Sequence, residues 1–408
     1  MGSNLIGLVG IVTILTIAVL LSSNRKAINF RIVGAAFAFQ VVIATLVLYT
    51  DAGSVVIEKM SVGAMSVIGY SRAGIEMVFG PLASEELLGS VSFAVHVLPI
   101  IIFFSALMSV LYYLRIMQWI VKIFGTLLHK IIGTGPIESM NAAANVFVGQ
   151  TESPLVVRPY LKGLTEPQFY AVMVSGVASV AGTVLAAYAS FGADMKFLLA
   201  ASFMAAPGGL LMAKILMPDD PGDLSGQKED FKIEKSEHEN VFLAAATGAT
   251  DGLKLAVNIG AMLIAFVALI ALFNGIIGGV SGWFGYDLTL EKILGTIFRP
   301  LMYLLSIPWA EAEAAGSLFG EKLILNEFVA FYHMTDVLAD ASDRTRAIVT
   351  FSLCGFANLS SIAILLGGLG VLVPERRQLI ARFGLRAVAA GSLSNLMSAA
   401  LAGMLLTF

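Results

Sequence analysis

Cysteine, clustered histidine and charge are scarce in this sequence. A single cysteine, Cys354, stands among 408 residues, which excludes an internal disulfide framework and a multi-cysteine metal site; we expect it to be a small packing residue. The four histidines are scattered, and neither an HExxH motif nor a GxxxxGKS/T loop is present, so ATP hydrolysis is not expected. Because no nucleophile with a base and no metal cluster is apparent, we expect neither an enzyme nor an organic cofactor.

Charged residues make up only 13% of the chain, whereas hydrophobic residues make up 58% and the mean hydropathy is +0.87. Soluble domains carry about 25% charged residues. The composition therefore predicts an all-α polytopic protein embedded in a lipid bilayer. The net charge of −3 says little, because the charges are concentrated in a few loops, and no nucleic-acid partner is expected.

Eight segments are apolar and long enough to span a bilayer, which takes about 20 residues. The first is too long for the apolar core of a cleaved signal peptide, so we expect it to remain as a span. The eight predicted spans are 4–22, 32–50, 88–114, 171–193, 197–213, 255–279, 347–373 and 385–408. Three further segments are predicted to lie outside the bilayer core: 51–87 at the outer interface, 116–130 as an amphipathic interfacial helix, and 218–239 as a cytoplasmic loop that is either a solvated linker or a regulatory site.

Basic residues beside the long spans fall on one side of this topology, except for Arg344 and Arg346. Short loops rich in lysine and arginine face the cytoplasm. Arg25 and Lys26 lie in such a loop between the first two spans, so we expect both termini to be outside.

Two segments are interrupted by polar breaks and are too short on each side to cross a bilayer. The first, 134–163, breaks at VGQTESP (148–154) and has basic residues on both flanks, which predicts a re-entrant hairpin that enters from the cytoplasm. The second, 293–339, breaks at 308–316 and is expected to enter from the opposite side. Two spans follow each hairpin, so the chain is predicted to contain an inverted repeat, which is typical of secondary transporters that bind their solute where the repeats meet.

The first break carries an acid, Glu152, directly after Gln150 and Thr151. A carboxylate at bilayer depth costs about 2.5–3.5 kcal/mol on insertion scales, so it is functional by default. The three side chains together offer donors and acceptors that suit a ligand with a polar edge. The alternative is that they only cap the hairpin.

A second polar set lies in the second half of the chain. Glu327 has apolar neighbours in the second arm of hairpin two, and Asn358 and Ser361 lie three apart on one face of an apolar helix. An acid, an amide and a hydroxyl can clamp two adjacent hydroxyl groups. The alternatives are an acid that pairs with a neighbour and polar side chains that join two helices.

Three further features have two readings each. Asn145 and Ser179 are oxygen donors beside glycine-containing sequence that can unwind; they suit a monovalent cation, or they join helices. Glu311 and Glu313 lie at the break of hairpin two. They either line the permeation path or a gate, or they reach interfacial water. Phe356 is either a core aromatic or a gate.

Four motifs in this order resemble the concentrative nucleoside transporter family in its short bacterial form: GQTESPLVVRP (149–159), SFMAAPGGLL (202–211), NEFVA (326–330) and CGFANLSSIAILLGGLG (354–370). The resemblance covers essentially the whole chain. It implies eight transmembrane helices with two opposed re-entrant hairpins, homotrimers in a bacterial cytoplasmic (inner) membrane, and sodium-coupled uptake of nucleosides such as uridine. The family also has proton-coupled members, so a proton-coupled nucleoside symporter is the alternative. A membrane-embedded enzyme or a channel is a minor one.

The resemblance also implies a role for each matching residue. Gln150, Thr151, Glu152 and Val184 would contact the nucleobase; Glu327, Asn358 and Ser361 would hold the ribose; Asn145, Ser179 and the carbonyls of Val148 and Val180 would bind Na+. Residues 1–115 and 241–285 would form a fixed scaffold, residues 116–217 and 286–408 would form the part that moves in an elevator mechanism, and residues 218–240 would be the cytoplasmic loop.

Overall fold

A computed structural model describes residues 3–83, 93–220, 239–286 and 288–406, and this part of the chain is helical. The start of the third predicted span and most of the predicted cytoplasmic loop lie outside the described residues. The helices are, in chain order, α1 (Ser3–Leu20), α2 (Phe30–Leu48), α3 (Asp51–Phe79), α4 (Leu98–Tyr113), α5 (Ile116–Ile132), α6 (Pro136–Asn145), α7 (Ser153–Val156), α8 (Glu166–Ala178), α9 (Gly182–Ser190), α10 (Met195–Leu216), α11 (Val241–Gly282), α12 (Leu290–Leu304), α13 (Ala312–Ile324), α14 (Glu327–Val337), α15 (Asp343–Leu353), α16 (Ser360–Gly367), α17 (Leu369–Leu372) and α18 (Arg377–Leu405).

Two units repeat the same order of elements. The first unit has the amphipathic helix α5, the short helices α6 and α7 around a break, the pair α8 and α9 around a second break, and the long helix α10. The second unit has the amphipathic helix α12, then α13 and α14, then α15 to α17, and the long helix α18. The predicted repeat is therefore present in the order of the elements.

Side-chain caps determine where the helices of these units begin. Thr165 and Gln168 form a reciprocal capping box at the start of α8, in which the Thr165 amide donates to Gln168 Oε1 at 3.1 Å. Asn326 caps α14, and Ser342 caps α15 by accepting from the Thr345 amide at 3.3 Å. Such caps satisfy backbone amides that have no partner within the helix.

The second hairpin is placed differently from the prediction. Its break lies at 325–326, between α13 and α14, and not at 308–316. The helix that was predicted to be its first arm, α12, is amphipathic, packs against α13 and corresponds to α5. The prediction was wrong because a proline followed by small residues at 308–316 has the sequence of a hairpin tip, whereas residues 305–311 form the turn between α12 and α13 and residues 312–316 begin α13.

Glu311 is the last residue of this turn, and Glu313 lies in the first turn of α13. Ser342 Oγ donates to Glu311 Oε2 at 2.9 Å, and Glu313 forms an ion pair of 3.0 Å with Arg299, whose guanidinium lies 4.4 Å from the Trp309 ring centroid. In the described part of the chain, neither acid lines the cavity presented below. The two acids therefore stabilise the turn.

Two predicted spans are interrupted. The fourth is broken at 179–181, between α8 and α9, and the seventh at 354–359, between α15 and α16. Both segments are mostly apolar and carry no charged residue, so their length and hydropathy predicted continuous helices. The breaks are stabilised because their free backbone groups pair across elements: the Gly182 amide donates to the Phe147 carbonyl, and the Phe356 amide to the Ser179 carbonyl, each at 3.0 Å.

Helix α3 contains most of the segment predicted at the outer interface. Seven described segments are long and apolar enough to cross a membrane, and Asp51–Ala83 is one of them. Helix α1, predicted to span, has 18 residues, which extend about 27 Å, close to the roughly 30 Å hydrocarbon core. An exposed ion pair between Arg72 and Glu76 (2.7 Å) suits an interface for α3, and that location remains a prediction.

Burial divides the long helices into two groups. In Glu166–Ser190, which comprises α8 and α9, 94% of the apolar stretch is buried inside the protein, and α10 and α18 are similar; in α11 the share is 11%. Helix α10 packs against α18, α2 and α8, and α18 packs against α1 and α15. The two units therefore form one core, whereas α2, α3, α4 and α11 present apolar faces outward, as membrane helices do.

Helices α4 and α11 pack closely at small residues. Gly248 and Gly252 face Ser105 and Ser109, and Ser109 Oγ donates to the Ala244 carbonyl at 2.7 Å. A Cβ on Gly252 would lie 2.7 Å from the Ser105 Cβ and 2.8 Å from the Ile102 Cα. Small residues at this spacing let two membrane helices approach.

We expect Gly252→Leu to destabilise the protein by about 1–3 kcal/mol, because the added side chain has no room between the two helices. The purified variant should melt at a lower temperature than the wild type. Gly275→Leu on the same helix is the matched control, since a Cβ there meets nothing within 4 Å. Equal melting of the two variants would contradict the expected close packing.

Candidate functional site

A cavity of about 560 Å³ lies where the breaks of the two units meet α4 and α11. Its volume is within the range of small-molecule sites, about 300–1,000 Å³. Polar or aromatic residues of both units and of the outer helices line it: Gln150, Thr151, Glu152, Thr183, Tyr188, Asn326, Glu327, Phe356, Asn358, Ser360, Ser361, Ser105, Asp251 and Asn258.

The first break is held by its own carboxylate. Glu152 Oε2 accepts a hydrogen bond from the Gly149 amide at 2.5 Å, and the Ser153 amide donates to the Gly149 carbonyl at 3.0 Å. A Cβ at position 149 would lie 2.7 Å from that Oε2 and 3.3 Å from the Ala181 Cβ, so the turn requires glycine. Glu152 is otherwise exposed to the cavity, which leaves its carboxylate accessible to a solute.

Gln150 reaches from the first unit to the second. Its Nε2 donates to Ser361 Oγ at 3.4 Å. Its Oε1 is buried and, within the described ranges, has no hydrogen-bond partner. Gly176 provides the space for this side chain, since a Cβ there would lie 3.2 Å from the Gln150 Cβ. Buried acceptors are nearly always paired, so a ligand that donates a hydrogen bond fits here.

Glu327 is buried, lines the cavity and is held on both sides. It follows Asn326, whose Oδ1 accepts from the Val329 amide at 3.0 Å. The Tyr188 hydroxyl donates to Glu327 Oε1 at 3.0 Å, and Asn358 Nδ2 donates to Oε2 at 2.8 Å. Each carboxylate oxygen accepts more than one hydrogen bond. The Glu327 carboxylate is therefore fixed in place and still able to accept from two adjacent hydroxyl groups.

Asn358 and Ser361 stand at the start of α16. Asn358 Oδ1 accepts from the Ser361 amide at 2.9 Å and from Ser360 Oγ at 2.7 Å, while Ser361 Oγ donates to the Phe356 carbonyl. The Phe356 side chain is half-buried and lines the cavity. The break between α15 and α16 thus presents an amide, a hydroxyl and an aromatic ring on the same wall as Glu327.

Oxygen atoms converge beside the break between α8 and α9. Ser179 Oγ donates to the Asn145 carbonyl at 3.0 Å and lies 3.3 Å from the Val180 carbonyl. The Asn145 side chain is 1% exposed, and neither its Oδ1 nor its Nδ2 has a hydrogen-bond partner in the described part of the chain. Val148 follows in the same loop, where its amide donates to the Ala144 carbonyl. Neutral hydroxyl, amide and carbonyl oxygens of this kind fit a monovalent cation such as Na+.

The lining of the cavity is acidic. Its described residues include the carboxylates Glu152, Asp251 and Glu327 and no lysine, arginine or histidine. Asp251 has a partner outside the lining, because Lys254 Nζ lies 3.2 Å from its Oδ1. A cavity of this charge favours neutral or cationic solutes over anions.

The structure places every residue expected to bind the solute on this one cavity: Gln150, Thr151, Glu152, Val184, Glu327, Asn358 and Ser361, with Phe356 beside them. Sequence reasoning missed Tyr188, Asn326, Asp251 and Asn258. Tyr188 lies in an apolar predicted span, where nothing marks it as a partner of Glu327. Asp251 precedes the predicted sixth span at 255, but α11 begins at Val241 and includes it.

Three family models match the chain. Residues 9–82 match a model described as Na+ dependent nucleoside transporter N-terminus, residues 94–195 match one described as Nucleoside recognition, and residues 197–403 match Na+ dependent nucleoside transporter C-terminus.

Relatives and solved structures agree with these models. The chain is 47% identical to the nucleoside permease NupC of Helicobacter pylori over 98% of both chains. It is 36% identical to sodium/nucleoside cotransporter 1 of Mus musculus over 98% of this chain and 64% of that protein. The structure of CNTnw in an inward-facing substrate-bound state has a TM-score of 0.93 and 50% identity, and covers 99% of this chain and 98% of that chain.

These matches cover nearly the whole chain, and the named relatives are permeases and cotransporters. The function of this helical membrane protein is therefore nucleoside transport and not catalysis. The chain belongs to the concentrative, Na+-dependent nucleoside transporter family.

Proposed function

We propose that this protein is a secondary active symporter that imports nucleosides together with Na+. One observation carries the proposal: Gln150 of the first unit and Ser361 of the second unit are in hydrogen-bond contact beside Glu327, at a single cavity. A solute bound there touches both units at once. Its binding and release therefore depend on how the two units and the outer helices are arranged, which is the requirement for alternating access.

The polar groups form two subsites, one for each end of the solute. Glu327, with Asn358 and Ser361, holds the ribose, because a fixed carboxylate that already binds Tyr188 accepts from two vicinal hydroxyls. Gln150, Thr151 and Glu152 bind the nucleobase, whose edge carries both donors and acceptors, and Val184 packs beside it. Phe356 gates this cavity.

The coupling ion is Na+, bound by Asn145, Ser179 and the carbonyls of Val148 and Val180. The buried Asn145 Oδ1 without a partner in the described chain supports this assignment. Because Asn145 and Val148 of this oxygen set lie beside and within the break that contains Gln150, bound Na+ stabilises the loop that holds the nucleobase. Ion and solute therefore favour each other's binding.

The membrane arrangement follows the two groups of helices. Residues 1–115 and 241–285 form a fixed scaffold that assembles as a homotrimer, and residues 116–217 and 286–408 move across it as an elevator. The outward apolar faces of α4 and α11 and the buried common core of the two units support this division. The protein lies in a bacterial cytoplasmic membrane with both termini and the entry of the second hairpin outside, and with the first hairpin and residues 218–240 facing the cytoplasm.

Uptake of labelled uridine into proteoliposomes tests the function. An inward Na+ gradient should drive accumulation, and unlabelled nucleosides should compete with the label. Uridine monophosphate should not compete, because its phosphate meets the acidic lining. Competition by the nucleotide as strong as by uridine, or no saturable uptake, would overturn the proposal.

We expect Gln150→Leu to raise the KM for uridine about tenfold. The change removes one hydrogen bond to the nucleobase, worth about 1.4 kcal/mol, and leaves the ribose contacts in place. Initial uptake rates over a range of uridine concentrations give the KM. Gln118→Leu is the matched control, since Gln118 is a half-buried glutamine of α5 outside the cavity lining; an unchanged KM for Gln150→Leu would remove Gln150 from the site.

A further inference from the structure

Lys322 is a fully buried lysine in the last turn of α13. Its side chain is 0% exposed, and its Nζ donates to the Ser352 carbonyl and to Asn395 Oδ1, both at 2.7 Å. The Phe319 ring centroid lies 5.9 Å away. Among the ion pairs of the described residues, none includes Lys322. A buried ammonium held mainly by neutral oxygens is costly unless it serves a purpose.

Asn395 extends this contact into both units. Its Nδ2 donates to the Ala178 carbonyl at 2.7 Å and to the Cys354 carbonyl at 3.0 Å. Ala178 ends α8, and Cys354 follows the end of α15. Each carbonyl therefore lies at the C-terminal end of the broken helix in its unit. A Cβ on Gly355 would lie 2.2 Å from Asn395 Oδ1, which means that a glycine is required for this approach.

The two breaks are built alike but differ in the side chains that gather at them. In the first unit, the end of α6 meets the end of α8, and the oxygens of Asn145, Ser179 and Val180 gather there without a basic side chain among them. In the second unit, the end of α13 meets the end of α15, and Lys322 supplies an ammonium to that place. Carbonyls at a helix C-terminus carry partial negative charge, so both places attract a cation.

We infer that Lys322 is a tethered cation that occupies, in the second unit, the place that an exchangeable Na+ occupies in the first. It is a positioning residue, because it holds the break that presents Asn358 and Ser361. The consequence is that one exchangeable ion suffices for transport. The inference rests on the proposed Na+ coupling.

Removal of the ammonium should convert this place into an ion site. In Lys322→Ser the Ser352 carbonyl and Asn395 Oδ1 lose their donor, and the shorter side chain leaves space and adds a hydroxyl oxygen. We expect the variant to take up a second Na+. The Hill coefficient of uptake against Na+ concentration should rise from about 1 to nearly 2, the number of sites, with a higher half-saturating concentration. Lys322→Arg retains the cation and should keep the wild-type coefficient, as should Lys196→Ser, which removes a lysine at the start of α10.

The experiment has two measurements on the full chain. The first is labelled uridine uptake into proteoliposomes at varied Na+, with choline keeping the ionic strength constant. The second is the melting temperature of the purified variants in the same salt series, because an ion that binds the folded state raises it by mass action. Thermal measurements remain informative if Lys322→Ser transports nothing.

A second-order Na+ dependence, or a Na+-specific rise in melting temperature larger in Lys322→Ser than in wild type and Lys322→Arg, supports the tethered cation. Equal Na+ responses in all variants, or a Lys322→Ser protein that melts at the same low temperature at every Na+ concentration, overturn it. Failure of the proposed coupling has a different signature, since wild-type uptake would then ignore Na+. The thermal comparison between Lys322→Ser and Lys322→Arg still decides the inference in that case.

Discussion

Glu327→Gln should reduce uridine uptake by more than about a hundredfold while the protein remains folded. The amide has nearly the same shape as the carboxylate, but it has one acceptor oxygen and no charge. It cannot accept from Tyr188 and Asn358 on both sides, as Glu327 does at 3.0 and 2.8 Å, and also hold two ribose hydroxyls. A hydrogen bond to a charged group contributes about 1.5–3 kcal/mol, and a loss of about 3 kcal/mol corresponds to roughly 150-fold. Initial rates of labelled uridine uptake at fixed protein content measure the effect.

Glu321→Gln is the matched control for this variant. Glu321 is also buried, at 1% exposure, and lies in the neighbouring helix α13, but its carboxylate pairs with His333 Nδ1 at 3.0 Å and is not part of the described cavity lining. Uptake should survive in this variant. Tyr188→Phe removes only one of the groups that hold Glu327, so a reduction of about tenfold is expected. Near-normal uptake by a folded Glu327→Gln protein would exclude Glu327 from the ribose site.

The first hairpin could be predicted from sequence because its signals are local. Pro154 occupies the first turn of α7, and Glu152 is the residue directly before that helix. Basic residues flank the segment. The break in the structure lies at 146–152 and overlaps the predicted break at 148–154. The predicted repeat is also a local pattern, since it depends on the order of short and long apolar segments.

The second hairpin could not be placed from the same kind of signal. The segment 308–316 contains proline, two acids and glycine but covers only the end of a turn and the start of α13, whereas the actual break at 325–326 contains only Leu325 and Asn326 inside an apolar stretch. What makes the second break possible is the Asn326 cap and the pairing of Leu359 with this hairpin, in which the Leu359 amide donates to the Leu323 carbonyl at 3.1 Å. Contacts between segments far apart in the chain leave no periodic pattern in either segment.

Contacts inside the site could not be predicted from the sequence for the same reason. Composition and spacing identified the polar residues Glu327, Asn358 and Ser361, but not the tyrosine that fixes Glu327. Tyr188 OH meets the carboxylate across 139 positions of the sequence, and Asn395 joins Ala178 across 217. An apolar helix with one tyrosine or one asparagine has no distinguishing pattern, so these partners become visible only when the elements are packed together.

Replacement of Na+ by choline should abolish concentrative uptake of uridine. A potential of about 100 mV contributes roughly 2.3 kcal/mol per Na+, and a tenfold concentration gradient adds about 1.4 kcal/mol. With one ion per solute, these terms support a several-hundred-fold accumulation at most, which should fall to no accumulation without Na+.

Ser179→Ala, which removes the hydroxyl between the Asn145 and Val180 carbonyls, should raise the half-saturating Na+ concentration about tenfold. Ser175→Ala, one turn earlier in α8 and bonded to Asn141, should leave it unchanged. Because the oxygens of this set are neutral, a proton has no site among them; uptake driven equally well by a proton gradient in choline would refute Na+ coupling and favour the proton-coupled alternative.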